Sequence, residues 1–478
     1  MSIDLYTAAQ VHQLDRLTIE QGKVPGYVLM SAAGWFAFNQ LQQRWPECQR
    51  LLVLCGKGNN GGDGYVVAEL ARQASMDVTI ISTCEPQELT GDAYQAYIDC
   101  RVEVQIGLPQ LPLATADVVV DALLGTGLQG DVRGLYQDWI AQLNDSPSPV
   151  LVIDIPSGLC ADTGRVLGNA VKAELTTTFI GRKQGMYTGQ ARNHCGEIRF
   201  ADLGVRASVY NQAPSGAQLL TANAAPVDMQ ERAASSYKTH HGHVFVVGGD
   251  TGTFGAVVLA AQGAARAGAG LVSIYTQPEQ GPYVTMVQPE LMLVRDNWQQ
   301  ADVLVVGPGL GQGEFGHSAW QHCLSLNKPM VVDADGLNLL SAVSQKRNNW
   351  ILTPHPGEAA RLLGCTTSEV EADRFAAVRQ LQEEYGGVVI LKGAGSLICG
   401  PSHQVFVLGV GNPGMASAGM GDVLAGICGA MLAQGLELED AAKMAAWLHS
   451  KAADLAAKAG QRGMLASDLL LFVRRLLG

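Results

Sequence analysis

Charged and aromatic side chains are both scarce in this 478-residue chain, at 16% and 6% of the total. A chain so poor in charge does not have the composition of a disordered protein. Long hydrophobic runs are missing too: none approaches the roughly 18 residues that a membrane-spanning helix needs. The opening MSIDLYTAAQVHQLD has neither the basic start nor the apolar core of a secretory signal. The ten cysteines make no CxxC pair, and several, such as Cys55 and Cys428, lie in apolar runs. Reduced, mostly buried thiols in a cytoplasmic protein are expected. There is no excess of positive charge. The net charge of −12 argues against nucleic acid or an anionic membrane as partner. An anionic small molecule is still admissible, because backbone N–H groups can hold phosphate inside an acidic protein. The only histidine cluster, His240, His241 and His243, has no further Cys/His pattern at ligand spacing, and reads as solvated or packed side chains at a strand entrance.

What is present in quantity is hydrophobic residues, at 47%, and glycine, with 56. The length predicts at least two domains, and the glycines suit the tight strand-to-helix turns of an α/β protein. Short apolar runs ending in Gly, Asp or Pro read as buried parallel strands. In the first half they are Leu51–Cys55, Val78–Ile81, Val118–Val120 and Val150–Ile153. In the second they include His243–Val247, Leu271–Tyr275, Val303–Val306, Met330–Val332 and Val388–Leu391. The helical stretches between them make right-handed βαβ crossovers the default. The rhythm breaks between about Arg206 and Tyr237, so a domain over residues 1–210, a linker over 211–229 and a second domain over 230–478 are expected. The halves share no repeat.

In the first half the strand RLLVLCG runs into Gly58-Asn59-Asn60-Gly61-Gly62-Asp63-Gly64, and a helix is predicted from YVVAELARQ. Free N–H groups at such a junction can cradle a pyrophosphate, although the G-x-G-x-x-G spacing of dinucleotide oxidoreductases is absent. A plain tight turn is the alternative, but seven residues of only Gly, Asn and Asp exceed what a turn needs. Two more strand ends carry polar loops: Asp121 with Gly125-Thr126-Gly127-Leu128-Gln129-Gly130-Asp131, and Asp154-Ile155-Pro156-Ser157. Ligands in open α/β sheets gather at the carboxyl ends of strands, so the three loops are expected to converge.

GNNGGDG, DALLGTGLQGDVRG and VIDIPSGLCADTG resemble the NAD(P)H-hydrate epimerase family over approximately residues 1–210. The resemblance implies a K⁺ site from Asn60, Asp121 and Ser157. It implies substrate contacts from Asn59, Asn60, Gly61, Gly62 and Asp63, from Gly125 to Asp131, and from Asp154. Ser31 departs from it, standing where Glu is usual. Interconverting the two epimers of a hydrated nicotinamide needs proton transfer without redox change, and Asp154 at a strand end suits a general acid/base. A domain that binds nucleotides without turning them over is the competing reading.

In the second half the decisive segment is Gly411-Asn412-Pro413-Gly414-Met415-Ala416-Ser417-Ala418-Gly419-Met420-Gly421-Asp422, followed by the helix-forming ICGAMLAQG. Small residues there present backbone N–H groups at a helix N-terminus, where charge on a transferring phosphoryl is stabilised. A simple N-cap is the plain alternative for Asp422, but a cap requires no flanking glycines. The segment resembles the anion hole and catalytic Asp of the ribokinase-like superfamily. VFVVGGDTGTFGAVVLAA, QPELM, VVGPGLG, VVDADGLNLL, LTPHPGEAARLLG and VILKGAGSLI narrow the likeness to the ADP/ATP-dependent NAD(P)H-hydrate dehydratases over approximately residues 230–478. This implies hydrate contacts at Ala256, Gly309, His355 and Asp422. It implies an adenine nucleotide held by Lys392, Gly393, Ala394, Gly395 and Ser396 and by Gly421. Met420 replaces the frequent Thr, and Gly336 the usual Ala. On bland readings Lys392 is a solvated strand-end cation, His355 a loop residue, and Asp333 and Asp335 caps or outer-layer groups.

The fold class expected is α/β: an N-terminal Rossmann-like three-layer αβα domain followed by a ribokinase-like α/β domain. The two likenesses together are those of bifunctional NAD(P)H-hydrate repair enzymes. They imply NADHX and NADPHX as substrates, ADP as phosphoryl donor with ATP as the alternative, K⁺ in the first domain, Mg²⁺ in the second, and a homo-oligomer. A ribokinase-like kinase of a small alcohol, with a non-catalytic nucleotide-binding first domain, is the alternative kept open.

Overall fold

The computed structural model describes residues 2–229, 231–294 and 296–478. It divides into two compact units, Asp4–Gly216 and Ala217–Gly478, with residues 2–3 counted in the second.

The first unit holds a seven-stranded sheet, parallel throughout, in the order Val104–Ile106, Asp77–Ser82, Arg50–Cys55, Val118–Ala122, Val150–Ile153, Leu175–Phe179, Glu197–Ala201. Alternation along each strand creates the layers. Leu51, Val53, Cys55, Val118 and Val120 face a core with Leu14, Ala33, Leu41 and Tyr65 from helices on one side. Leu52, Leu54 and Val119 face a second core with Trp139, Ile140 and Leu143. Helices therefore cover both faces, as a three-layer αβα domain requires. Chain direction across the sheet reverses between Arg50–Cys55 and Val118–Ala122, a topological switch point.

The second unit carries an eleven-stranded sheet. From Val388–Leu391 through Trp350–Leu352, Met330–Val332, Val303–Val306, His243–Val247 and Leu271–Tyr275 to Met292–Leu293 the strands are parallel. On the other side Leu397–Cys399 and Val405–Leu408 pair antiparallel, and Ala217–Leu220 then adds parallel to the latter. Ser2–Leu5 lies at that edge. Ala217–Leu220 falls inside the stretch read from sequence as a linker. Its AQLL has only four residues and no alternation to separate it from a loop, but sheet pairing and burial make it a strand.

One helical contact sets the second site. The helix Met420–Ala433 crosses Phe254–Arg266 so closely that a Cβ on Gly426 would sit 1.9 Å from the Ala260 carbonyl oxygen. Gly426→Ala must push the helices apart, and is expected to cost about 3 kcal/mol. Urea denaturation of the second domain checks this; a loss below about 1 kcal/mol would show that the crossing yields.

Candidate active sites

The first site lies at the carboxyl end of the first sheet, on its switch point. The helix expected from Tyr65 begins earlier, at Asn59, with Gly58 as N-cap. Asn59 to Gly64 are therefore its opening turns rather than a loop. Glycine is needed there for closeness: a Cβ on Gly61 would lie 1.9 Å from the Gly56 carbonyl oxygen, and one on Gly64 2.7 Å from the Ala122 Cβ.

Asp121 ends the neighbouring strand fully buried. Its carboxylate accepts from the Ser157 hydroxyl (2.6 Å), the Ser157 amide (3.0 Å) and the Leu123 amide (3.1 Å). Burial pushes its carboxyl up to about 6, against these hydrogen bonds. The Ser157 hydroxyl also accepts from the Leu124 amide at 2.9 Å. One residue on, Gly125 packs against Asn60. Residues 123–125 thus bridge from Asp121 and Ser157 to Asn60, whose buried amide O and N have no hydrogen-bond partner among the described residues.

A cavity of about 770 Å³ opens above, within the usual range for ligand pockets. Asn59, Asn60, Asp63, Asp154 and the 125–129 stretch line it, whereas Gly130 and Asp131 do not. Asp154 has a positive φ of 69°, a strained backbone for a non-glycine residue. Its carboxylate is ion-paired with Lys183, whose ammonium also donates to the Thr178 hydroxyl (2.9 Å) and the Phe179 carbonyl (3.3 Å). Sequence reasoning missed Lys183 because the strand before it, Leu175–Phe179, reads as the threonine-rich LTTTF. It also missed Asp15 and His12, which reach the cavity from the helix Ala8–Glu20.

The second site gathers loops from six strand ends. After His243–Val247, the Asp250 amide donates to the Gly309 carbonyl (2.6 Å), as does the Thr253 hydroxyl (2.8 Å). The Ala256 amide bonds back to Thr253, so Ala256 and Gly309 share one loop contact. His355 is the N-cap of the helix Pro356–Leu363: its Nδ1 accepts from the Gly357 and Glu358 amides at 3.0 and 3.4 Å. Nε2 must then carry the proton of the neutral ring, on a side chain 55% exposed.

Lys392 is not the solvated cation of the bland reading. Its ammonium pairs with Asp333 at 2.8 Å and lies 3.8 Å from Glu358. Burial works against its charge, but the two carboxylates hold it above the usual lysine range. Asp333 is buried and also accepts from the Thr353 hydroxyl at 2.8 Å, so it is no mere cap. Asp335 accepts from the Gly311 amide at 2.9 Å, tying two loops together. A Cβ on Gly421 would stand 3.1 Å from the Lys392 ammonium. The residue that caps the helix Met420–Ala433 is Gly419, at φ 87°; Asp422 is its third residue, free of the capping role. Burial first, and then the Asp333 charge, push the Asp422 carboxyl up to about 7. That suits a base working near neutral pH.

Comparison with known proteins agrees with this geometry. The family model described as NAD(P)H-hydrate dehydratase matches residues 244–475, and that of the YjeF-related protein N-terminus matches residues 26–185. A bifunctional NAD(P)H-hydrate repair enzyme of Coxiella burnetii is 45% identical, covering 98% of each chain. The Escherichia coli K12 counterpart is 42% identical over 94% of this chain and 89% of its own. A ribokinase-like superfamily protein of Enterococcus faecalis, 26% identical, superposes with a TM-score of 0.50 over 55% of this chain and 95% of that one. Also similar, at 29% identity and a TM-score of 0.48 over 52% and 93%, is a Bacillus subtilis ADP/ATP-dependent NAD(P)H-hydrate dehydratase co-crystallised with ATP and Mg²⁺. The family match and the bifunctional relatives do not favour the small-alcohol kinase. The chain belongs to the bifunctional NAD(P)H-hydrate repair enzymes, in which an epimerase is joined to a dehydratase.

Proposed function

We propose that the first domain equilibrates the R and S hydrates of NADH and NADPH at Asp154, and that the second dehydrates the S form with ADP, releasing AMP and phosphate. The observation that carries the second half is Asp422, its carboxyl raised to about 7 in the opening turn of a helix beside the Lys392–Asp333 pair. Asp422 takes the proton of the hydrate hydroxyl, whose oxygen attacks the terminal phosphoryl of ADP, and AMP leaves. The N–H groups at Gly419–Gly421 and the Lys392 ammonium receive the charge that develops. The ring nitrogen then expels phosphate, a far better leaving group than hydroxide. Loss of a proton from the adjacent ring carbon restores the double bond. Gly309, Ala256 and the Nε2 proton of His355 orient the hydrate. The turn Lys392–Ser396, with Gly393 at φ 144° and Gly395 at φ 62°, is proposed to hold the nucleotide.

The donors present fit both expected metals. Asn60, Asp121 and Ser157 would hold K⁺, and the orphaned Asn60 amide oxygen favours this reading because a buried acceptor without a partner is costly. These residues would hold the ion, which would supply a fixed positive charge next to the 123–125 segment. Asp333 and Glu358 would face Mg²⁺ carried on the nucleotide phosphates, the usual way this ion binds. No group of three or more acidic, Cys or His ligands occurs among the described residues. The ten unpaired cysteines favour a reducing, cytoplasmic setting.

The test is an R/S hydrate mixture with ADP in potassium buffer, followed by absorbance of the reduced nicotinamide. Complete conversion is expected. Recovery of only the S fraction would reject the epimerase, and none at all would reject the whole reading. Replacing potassium by choline should slow recovery of the R fraction and leave the S phase untouched.

A further inference from the structure

The cavity of the first domain contains more ionisable groups than Asp154 alone requires. Asp15 and His12 reach it from the helix Ala8–Glu20, Asp63 from the helix Asn59–Gln73, and Asp154 and Lys183 from strand ends. Lys183 is fully buried, and all three of its donors are used, on Asp154, Thr178 and Phe179. Its charge acts on Asp15 but is committed to Asp154; Lys57 and Asp92 also line the cavity. Asp15 accepts no side-chain or backbone hydrogen bond among the described residues, unlike Asp121, whose oxygens are fully engaged. A carboxyl that lines a cavity without any structural bond is available to a ligand.

We propose that Asp15 is the second proton-transfer residue of the epimerase, acting on the ring face opposite Asp154, and that Lys183 positions Asp154. The proposal rests on the catalytic role read for Asp154 above. In one direction, Asp15 gives its proton to the hydroxyl on the ring carbon. The C–O bond breaks and its electron pair leaves with the oxygen as water, while the ring-nitrogen lone pair forms a C=N bond. A water then adds to the other face, returning that pair to nitrogen and giving its proton to Asp154. One water leaves and one returns, one proton has moved from Asp15 to Asp154, and nothing is oxidised. The reverse direction exchanges the two roles, and solvent resets the protons.

Asp15 meets the demands of this role better than Asp63. Burial pushes the Asp15 carboxyl up to about 6, with Asp154 adding to the rise and Lys183 and His12 opposing it, so it alternates between forms near neutral pH. Burial raises the Asp63 carboxyl well above its ordinary range, which favours its protonated, hydrogen-bond-donating form. His12, 3.5 Å from the Thr126 hydroxyl through Nε2, lies one helical turn from Asp15. It is left as a substrate contact.

The experiment uses the full chain with purified R hydrate and ADP, so that each turnover of the first domain is read as reduced nicotinamide. D15N and D154N are each expected to slow R conversion by about 10²–10⁴-fold, with S conversion kept as the internal control of the second domain. D15N mimics the protonated carboxyl and leaves the fold in place, which thermal unfolding verifies. D15E should restore part of the rate, and a titration of kcat near 6, expected for wild type, should vanish in D15N. If D15N keeps the wild-type rate while D154N loses it, the Asp15 role is wrong and the Asp154 reading survives. If both keep it, both fail. A loss in D15N that D15E does not relieve, with the pH profile unchanged, marks a structural role and overturns the proposal.

Discussion

Asp422→Asn is expected to lower ADP-dependent recovery of NADPH from the S hydrate by about 10³–10⁴-fold, the upper end for loss of a general base. Asn fills the same volume in the helix Met420–Ala433 and can still accept a hydrogen bond, but it cannot take a proton. KM for ADP should change little, since the donors proposed to hold the nucleotide lie in the Lys392–Ser396 turn and the N–H groups at Gly419–Gly421. The same change should stabilise the second domain. Asp422 titrates near 7 when folded, against 3.8 for the unpaired residue. Between those values the folded chain binds the extra proton, so wild-type stability falls as pH rises through this window. Asn carries no such burden, and its advantage should grow from pH 5 to pH 8, reaching on the order of 3–4 kcal/mol. Thermal unfolding at the two pH values, beside single-turnover assays, reads both effects. An inactive variant that is also destabilised at pH 8 would mean that Asp422 holds the fold rather than the reaction.

Much of both sites could be read in the sequence because the residues concerned are contiguous. GNNGGDG, GTGLQG and GMGD each sit at one strand-to-helix junction, where backbone geometry restricts composition strongly. The runs Leu51–Cys55, Val118–Val120 and His243–Val247 are continuous and apolar because both faces of their sheets are covered, which makes them visible without alternation. What stayed hidden depends on contacts far apart in the chain. Leu175–Phe179 and Ala217–Leu220 are strands because neighbouring strands pair with them. Asp15 looks like a solvated residue in AAQVHQLDRLTIE, and only the cavity above the sheet reveals its place. Asp333 reads as a helix cap until Lys392, 59 positions later, closes on it. The helix beginning at Asn59 was misplaced for a different reason: its glycines lower helix propensity, but they allow the close approach to Gly56 and Ala122 that fixes the helix there.

Lys183→Met should produce the largest loss of stability in the first domain, and the loss should be relieved by a second change. Wild-type Lys183 is fully buried, while the Asp154 side chain is 18% exposed. Removing the ammonium leaves the Asp154 carboxylate facing a cavity without its counter-charge, and the Thr178 hydroxyl and Phe179 carbonyl without their donor. Breaking a buried pair from one side typically costs about 3–5 kcal/mol; because some water reaches Asp154, about 2–4 kcal/mol is expected here. The Asp154 backbone, already strained at φ 69°, adds to the burden once its side chain is no longer anchored. In the double variant K183M/D154N both charges are gone and the methionine stem fills the lysine's path, so at least half of the lost stability should return. Denaturant unfolding of the four proteins, monitored on the first-domain transition, gives the coupling directly. If the two single losses simply add, the pair is not a unit and Lys183 acts through Thr178 and Phe179 alone. If the double variant recovers stability, the pair is a unit in the fold, and K183M alone, which keeps the Asp154 carboxylate, then reads in its rate of R conversion whether the ammonium is also needed to position it.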